Sequence, residues 1–191
     1  CINAPLRLRR KTALANSQSY ELRSRARRII VVIRHDVLME AFGDWGAEPA
    51  DERLDLERGM FLIARFVQPE TDEKHLDEQL DRLAKAVRKE LGEEVDPARC
   101  DPRQALGAVQ EVVFGPAGLR GNVANYYDPR NNSLTYVLET KQGMPIMLSH
   151  IAIAVGQRLK LPLVGLPLPY RYMFKYDGSQ APDGFPKSDI Y

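Results

Sequence analysis

The stretch that decides the fold is Gly118-Leu-Arg-Gly-Asn-Val-Ala-Asn-Tyr-Tyr-Asp-Pro-Arg-Asn-Asn-Ser-Leu-Thr-Tyr-Val-Leu-Glu-Thr-Lys-Gln-Gly-Met-Pro-Ile-Met-Leu-Ser149. Its first part belongs to an irregular segment rich in Gly, Pro, Asn and Tyr, Gly115 to Asn132, and compact domains keep loops of that length where they are functional or well packed. Ser133 offers a cap for a short helix through Leu134, Val137 and Leu138, with Gly143 as its stop. Pro145 suits the first turn of a second helix carrying Leu148, Ile151, Ala152, Val155 and Leu159. The polar residues of the loop have two accounts. In one, Asn122, Asp128, Asn131 and Ser133 cap helices and bridge backbone while Tyr126 and Tyr127 pack over the core. In the other, the loop binds a ligand, and the residues alone leave both open.

Upstream, apolar residues recur at helical spacing. Leu22, Ala26, Ile29, Ile30, Ile33, Val37, Leu38 and Ala41 line one face, and nine basic residues against the single acid Glu21 fill residues 7–34. That stripe could meet RNA or an anionic surface, or be a solvated helix face. A second helix starts near Pro49-Ala50-Asp51, carries Leu56, Met60, Ile63 and Val67, and ends before Pro69. A third is capped by Thr71 or Asp72, with Leu76, Leu80, Leu83, Val87 and Leu91 as its stripe and Gly92 as a left-handed stop. A fourth opens at Asp101-Pro102 and buries Leu106, Val109 and Val113 before Gly115. Downstream of Pro162, Leu163 to Leu168 reads as a buried strand. Tyr170, Tyr172, Phe174 and Tyr176 then alternate with Arg171, Met173 and Lys175 as a half-exposed one. Helices first and sheet last make an α+β fold.

The 191 residues suit one domain with an appendage, so 1–50 is expected as a basic helical segment and 51–191 as the domain, with a helical lead-in over 51–115 and a core over 116–191. A hydrophobic fraction of 44%, with 27 basic against 26 acidic residues, marks a soluble folded chain; its global charge is silent about partners, and with no field that argues for nucleic acid none is expected. No run approaches the ~18 apolar residues of a membrane span. Cys1 and Cys100 form neither a disulfide framework nor a zinc motif, which points to a reducing, cytoplasmic setting. The chain opens on Cys1 and stops at Asp189-Ile190-Tyr191, which reads as the start of a strand, so a fragment truncated at the C-terminus is expected.

Chemistry-bearing motifs are sparse. No glycine-rich phosphate loop precedes a helix, and His35, His75 and His150 are separated from one another and from the cysteines, so neither a metal nor another cofactor is expected. Ser149 and His150 are weak catalytic candidates. As adjacent helical residues they point about 100° apart and do not face each other as nucleophile and base.

The quoted stretch resembles the SirB-type transglutaminase-like family, whose pattern runs Gly-Asn, Tyr-Tyr-Asp-Pro-Arg-Asn, Val-Leu, Gly-Ile-Pro-Ile and Leu-Ser. The likeness continues through Val155, Arg158-Leu159, Leu161-Pro162-Leu163 and Val164-Gly165 to Pro169. It implies a papain-like core in which a helix carrying a nucleophilic Cys at its N-terminus packs on an antiparallel sheet that supplies His and then Asp. Such an arrangement works because a helix N-terminus lowers a thiol's pKa, the imidazole takes its proton and the carboxylate orients the imidazole. In this chain Pro145 stands about where the Cys would be, as it tends to in the family. Arg171 stands where the family's Pro-Gly-His-Phe strand has His, and an arginine cannot serve as a general base. The strand with the acid would begin just beyond Tyr191.

On these grounds the chain is expected to be a non-catalytic binding or regulatory module, a pseudoenzyme whose partner is a protein or peptide. Its expected pocket residues are Asn122, Tyr127, Asn131, Pro145, Ser149 and Arg171. An amide hydrolase or acyl transferase using Ser149 is the first alternative, and RNA or anionic-surface binding through residues 7–34 the second.

Overall fold

A computed structural model describes residues 20–25, 32, 35–47, 56–116, 118–169 and 171–191. The chain divides into two units, Cys1–Glu48 and Pro49–Tyr191. In the first, residues 20–25, 32 and 35–46 are helical, with Leu22 and Val37 exposed and Leu38 buried. The stripe positions Ala26, Ile29, Ile30 and Ile33 lie outside the described residues, as do all the basic residues of the stripe except Arg23 and Arg25. Arg25 pairs with Glu21 at 2.7 Å on the exposed face.

The second unit opens with α1, Leu56–Val67, which buries Gly59, Met60, Leu62 and Ala64. Ile63, expected in the stripe, is instead exposed. The small residues Gly59 and Ala64 mark the side that approaches the neighbouring helices, and the buried face turns toward them. Pro49 to Asp51, the expected start, lies outside the described residues. Next comes α2, Glu73–Leu91, capped by Asp72, whose carboxylate accepts from the Lys74 amide, while Thr71 donates to the Gln68 carbonyl. Leu76, Leu80, Ala84, Val87 and Leu91 are buried and Leu83 is half-buried. Gly92 closes the helix at φ 99°, a conformation that favours glycine. In α3, Pro102–Phe114, Asp101 caps as expected and Leu106, Val109 and Val113 are buried. Gly115 ends it at φ −61°, without a left-handed turn. A glycine is needed there because a Cβ would lie 2.1 Å from the Glu111 carbonyl oxygen.

The long loop carries an unexpected strand, β1 (Arg120–Gly121), which pairs in parallel with β2 (Gln142–Gly143). Between them lie a 3₁₀ turn, Pro129–Asn132, and α4, Leu134–Thr140. The stop of α4 is Lys141 in the left-handed region at φ 60°, ψ 20°, two residues before the expected Gly143. Gly143 serves close approach, since a Cβ there would meet a Val137 methyl at 2.6 Å. Ser133 stands at the N-cap position without a side-chain capping bond.

The central element is α5, Pro145–Arg158, with every residue from Ile151 to Gly156 buried. It packs against α1, α2, α3 and α4 and against the antiparallel pair β3 (Leu163–Leu168) and β4 (Arg171–Tyr176), registered from Leu163↔Tyr176 to Leu168↔Arg171. Leu163 is the sole fully buried residue of β3, which departs from the buried strand expected. A two-stranded sheet covered by a helix leaves its far end, Pro167 and Leu168, in solvent. At the C-terminal end of α5, Arg158 pairs with Glu57 of α1 and with Asp77 and Asp81 of α2. Burial alone would push its guanidinium down, but these carboxylates hold its pKa up, and the cation suits the negative end of the helix. Near the end of the chain, where the start of a strand was expected, Ile190 forms an isolated antiparallel bridge with Tyr176. The described residues thus form a mixed α+β arrangement of helices with small sheets.

Burial separates two leucines of one stripe. Leu80→Ala is expected to cost about 2 to 5 kcal/mol and Leu83→Ala less than half as much, read from urea midpoints at unchanged slope.

Candidate functional site

The head of α5 is set by the loop before it. Met144 takes the N-cap position in an extended conformation and gives no side-chain acceptor to the first turn, and Pro145 follows as the first helical residue. Backbone bonds from the Met144 amide to the Asn131 carbonyl (3.0 Å) and from the Asn122 amide to the Gly143 carbonyl (3.1 Å) hold this entry in place.

Asn122 and Asn131, both expected in a pocket, are buried beneath it. Asn122 Nδ2 donates to Asn131 Oδ1 at 2.9 Å, and Asn131 Nδ2 donates to the carbonyls of Asn125 and Tyr126. The Asn125 amide donates back to Asn122 Oδ1. Their amides are used in folding the loop onto itself, which satisfies buried polar groups at little net cost. Tyr127 points the other way, 92% exposed, and packs edge-on against Tyr126 rather than over the core. Asp128 caps the 3₁₀ turn and pairs with Arg130 at 2.7 Å, and the hydrogen bonds from Arg130 hold its carboxyl below the usual range.

Above this loop lies an open cavity of about 440 Å³ lined by Tyr126, Met144, Pro145, Ile146, Arg171, Tyr172 and Met173. Of the six expected pocket residues it takes in Pro145 and Arg171. Ser149 is 6% exposed and stands outside the lining, one turn into the buried helix. Tyr126, Met144, Ile146, Tyr172 and Met173 went unsuspected, although Met144, Ile146 and Tyr172 flank Pro145 or Arg171 directly and Met173 lies two residues from Arg171. Three consecutive β4 residues reach the cavity, so the strand meets it along its edge and not through one alternating face.

Arg171 is exposed at this rim and makes no ion pair with any described residue. Tyr172 is fixed from two sides. Its hydroxyl lies 3.2 Å from His150 Nε2, the two rings meeting edge to face at 5.1 Å. Its ring also lies over Gly165 of β3, where a Cβ would come within 1.9 Å of the hydroxyl oxygen. Burial pushes the His150 imidazole below its ordinary pKa and the Tyr172 phenol above its own, so both are held in their neutral forms.

Other groups with reactive chemistry are engaged elsewhere. Cys100 is buried, its thiol donates toward the Pro97 carbonyl, and burial pushes its pKa up, the reverse of what a nucleophile needs. Asp189, beside the Ile190 bridge, pairs with Lys175 and accepts from the Gly178 amide. Among the described residues, no three His, Cys, Asp or Glu gather as a metal site, and no helix is long and apolar enough to cross a membrane.

Residues 74–186, from α2 through the sheet to the segment beyond it, match the family model of the transglutaminase-like superfamily. The chain belongs to that superfamily. A UPF0162 protein of Xylella fastidiosa is 35% identical over 138 residues, 71% of this chain and 47% of the relative. A UPF0162 protein of Vibrio cholerae is 24% identical over 67% of this chain and 46% of its own length. The mouse F-box only protein 21 is 27% identical over 73 residues, 38% of this chain and 12% of the relative. The chain thus spans about half the length of the UPF0162 relatives. No solved structure matches it. Within this transglutaminase-like domain the head of α5 carries Pro145, and β4 carries Arg171 where the resemblance implied His.

Two outcomes follow from the Tyr172 seat. Because the unfolded chain binds a proton on His150 more readily than the folded one, stability is expected to fall as pH drops from about 7.5 to about 5.5, and His150→Gln should flatten this slope in pH-dependent thermal melts. Gly165→Ala should displace the Tyr172 ring, seen as loss of its aromatic NMR contacts to His150.

Proposed function

We propose that this transglutaminase-like domain, of the SirB-type branch, is a cytoplasmic binding or regulatory module that takes a protein or peptide segment at the head of α5 without acyl-transfer chemistry. One observation carries the reading. The helix start where the resemblance implies a thiol holds Pro145 and opens on a surface cavity, with Arg171 in the place of the base. Thiol catalysis needs a nucleophile with a lowered pKa and a base in hydrogen-bond reach. Cys100 has the opposite environment and Ser149 is packed inside the helix bundle. The cavity is within the size range of small binding sites and has an apolar and aromatic wall with one charged group, a composition suited to a side chain or chain end.

An amide hydrolase or acyl transferase is the second reading, and what favours it is the neutral His150 beside Ser149, hydrogen-bonded to a tyrosine at the cavity wall. Turnover decides between the two. The protein is expected to release no ammonia from a glutamine-donor peptide and to cleave no peptide amide above the buffer rate. Turnover abolished by Ser149→Ala, with the melting temperature unchanged, would establish the enzyme instead. Binding is expected to show as shifts of the Met144 and Met173 methyl NMR signals on adding a random hexapeptide pool, with Met60 and Met147, buried in the core, unaffected.

A further inference from the structure

We infer that the cavity at the head of α5 receives the free C-terminus of a peptide, its carboxylate on Arg171 and its last, apolar side chain among Met144, Ile146 and Met173. This rests on the binding reading above and names the class of ligand. Three observations converge on it.

The first is charge. Arg171 is the one charged side chain in the lining among the described residues, and no described carboxylate pairs with it. A guanidinium presents a planar fork that fits a carboxylate through two parallel hydrogen bonds. The second is the helix. The 14 residues of α5 start at the same cavity, and their N-cap Met144 gives no side-chain acceptor. The positive end of the helix therefore adds to the field of Arg171 rather than cancelling it, and two positive features around one opening favour an anion there. The third is the wall. Ile146 and Met173, 39% and 41% exposed, stand in the cavity with the side chain of Met144, whose sulfur accepts from Asn132 Nδ2, and the rings of Tyr126 and Tyr172. Methionine side chains adapt to apolar groups of different shapes.

The size and the mixture of chemistries select a chain end. About 440 Å³ holds one or two residues and not a folded surface element. In an internal Asp or Glu the carboxylate is the tip of the side chain, and no apolar group lies beyond it. A C-terminal Leu, Phe or Met places a carboxylate and an apolar side chain on the same Cα, so one residue meets both the cation and the apolar wall. Capture of terminal carboxylates is a recurring mode of peptide recognition.

Gly165 shapes this pocket from behind. It leaves room for the Tyr172 ring to lie on β3 and reach His150, and a Cβ there would collide with the end of that ring, so any larger residue must displace it. It is a positioning residue, since it acts through Tyr172.

The test uses the full chain with methyl-labelled methionine and acetylated hexapeptides ending in Leu or Phe, each prepared as the free acid and as the carboxamide, plus a carboxamide peptide with an internal Asp. The free acids are expected to shift the Met144 and Met173 signals in a saturable way, with Met60 and Met147 unmoved. Amidation or Arg171→Ala should weaken binding about five- to tenfold, the range for a partly exposed charge-assisted hydrogen bond, and Arg171→Lys should recover part of it. Gly165→Ala should weaken acid and amide alike. If acids and amides shift the same signals equally, or the internal Asp peptide matches the acids, the terminal-carboxylate inference fails while peptide binding stands. If no peptide shifts Met144 or Met173, the binding reading itself fails.

Discussion

A helix surrounded on every side is the constraint on which the rest of this structure depends. From Ile151 to Gly156, α5 has no solvent face, so its side chains must be apolar or small and its neighbours must supply all of its cover. The lead-in helices pack on one side and the β3–β4 pair on the other. Gly156 allows that second contact, since a Cβ there would lie 2.5 Å from Leu163 Cδ1. Close packing of this kind leaves no room for slack, because even a methylene is felt in a protein interior. With the body of the helix enclosed, chemistry is confined to its ends. One end is pinned by Arg158 to three carboxylates, and the other opens on the cavity.

Much of the helical layer was legible in the sequence because its signals are local. Asp72 and Asp101 cap the helices they precede, Pro102 and Pro145 open the helices they were expected to open, and the leucine spacing of α2 marks its buried face. These features depend on a few neighbouring residues and on helix geometry alone. The misread positions depend on distant neighbours. Ile63 has the right spacing and the wrong side, since only the small residues Gly59 and Ala64 reveal which way α1 faces. Gly143 looks like a helix stop but is dictated by Val137 across the turn. The pairing of β1 with β2 is two residues long, too short for any periodic pattern.

The site was harder to read than the fold for a related reason. Polar residues in an irregular loop suggest contact with a ligand, yet Asn122 and Asn131 spend their amides on each other and on nearby carbonyls. The cavity is lined instead by Met144, Ile146, Tyr172 and Met173, which in a linear sequence pass for ordinary core. Their exposure follows from tertiary position, where the start of a helix meets the edge of a strand. Pro145 and Arg171 were identified through the family resemblance, as departures from a catalytic pattern.

The Arg158 cluster bears on how binding would be felt at the opposite end of the same helix. Because α1 and α2 grip α5 through charge as well as packing, the helix cannot slide along its axis without pulling a cation away from carboxylates in a partly dry setting. A ligand arriving at Pro145 therefore meets a wall that is already in place, and little ordering of backbone remains to be done on association. What yields to a guest is then the methionine side chains at the rim, while the backbone that carries them stays where it is.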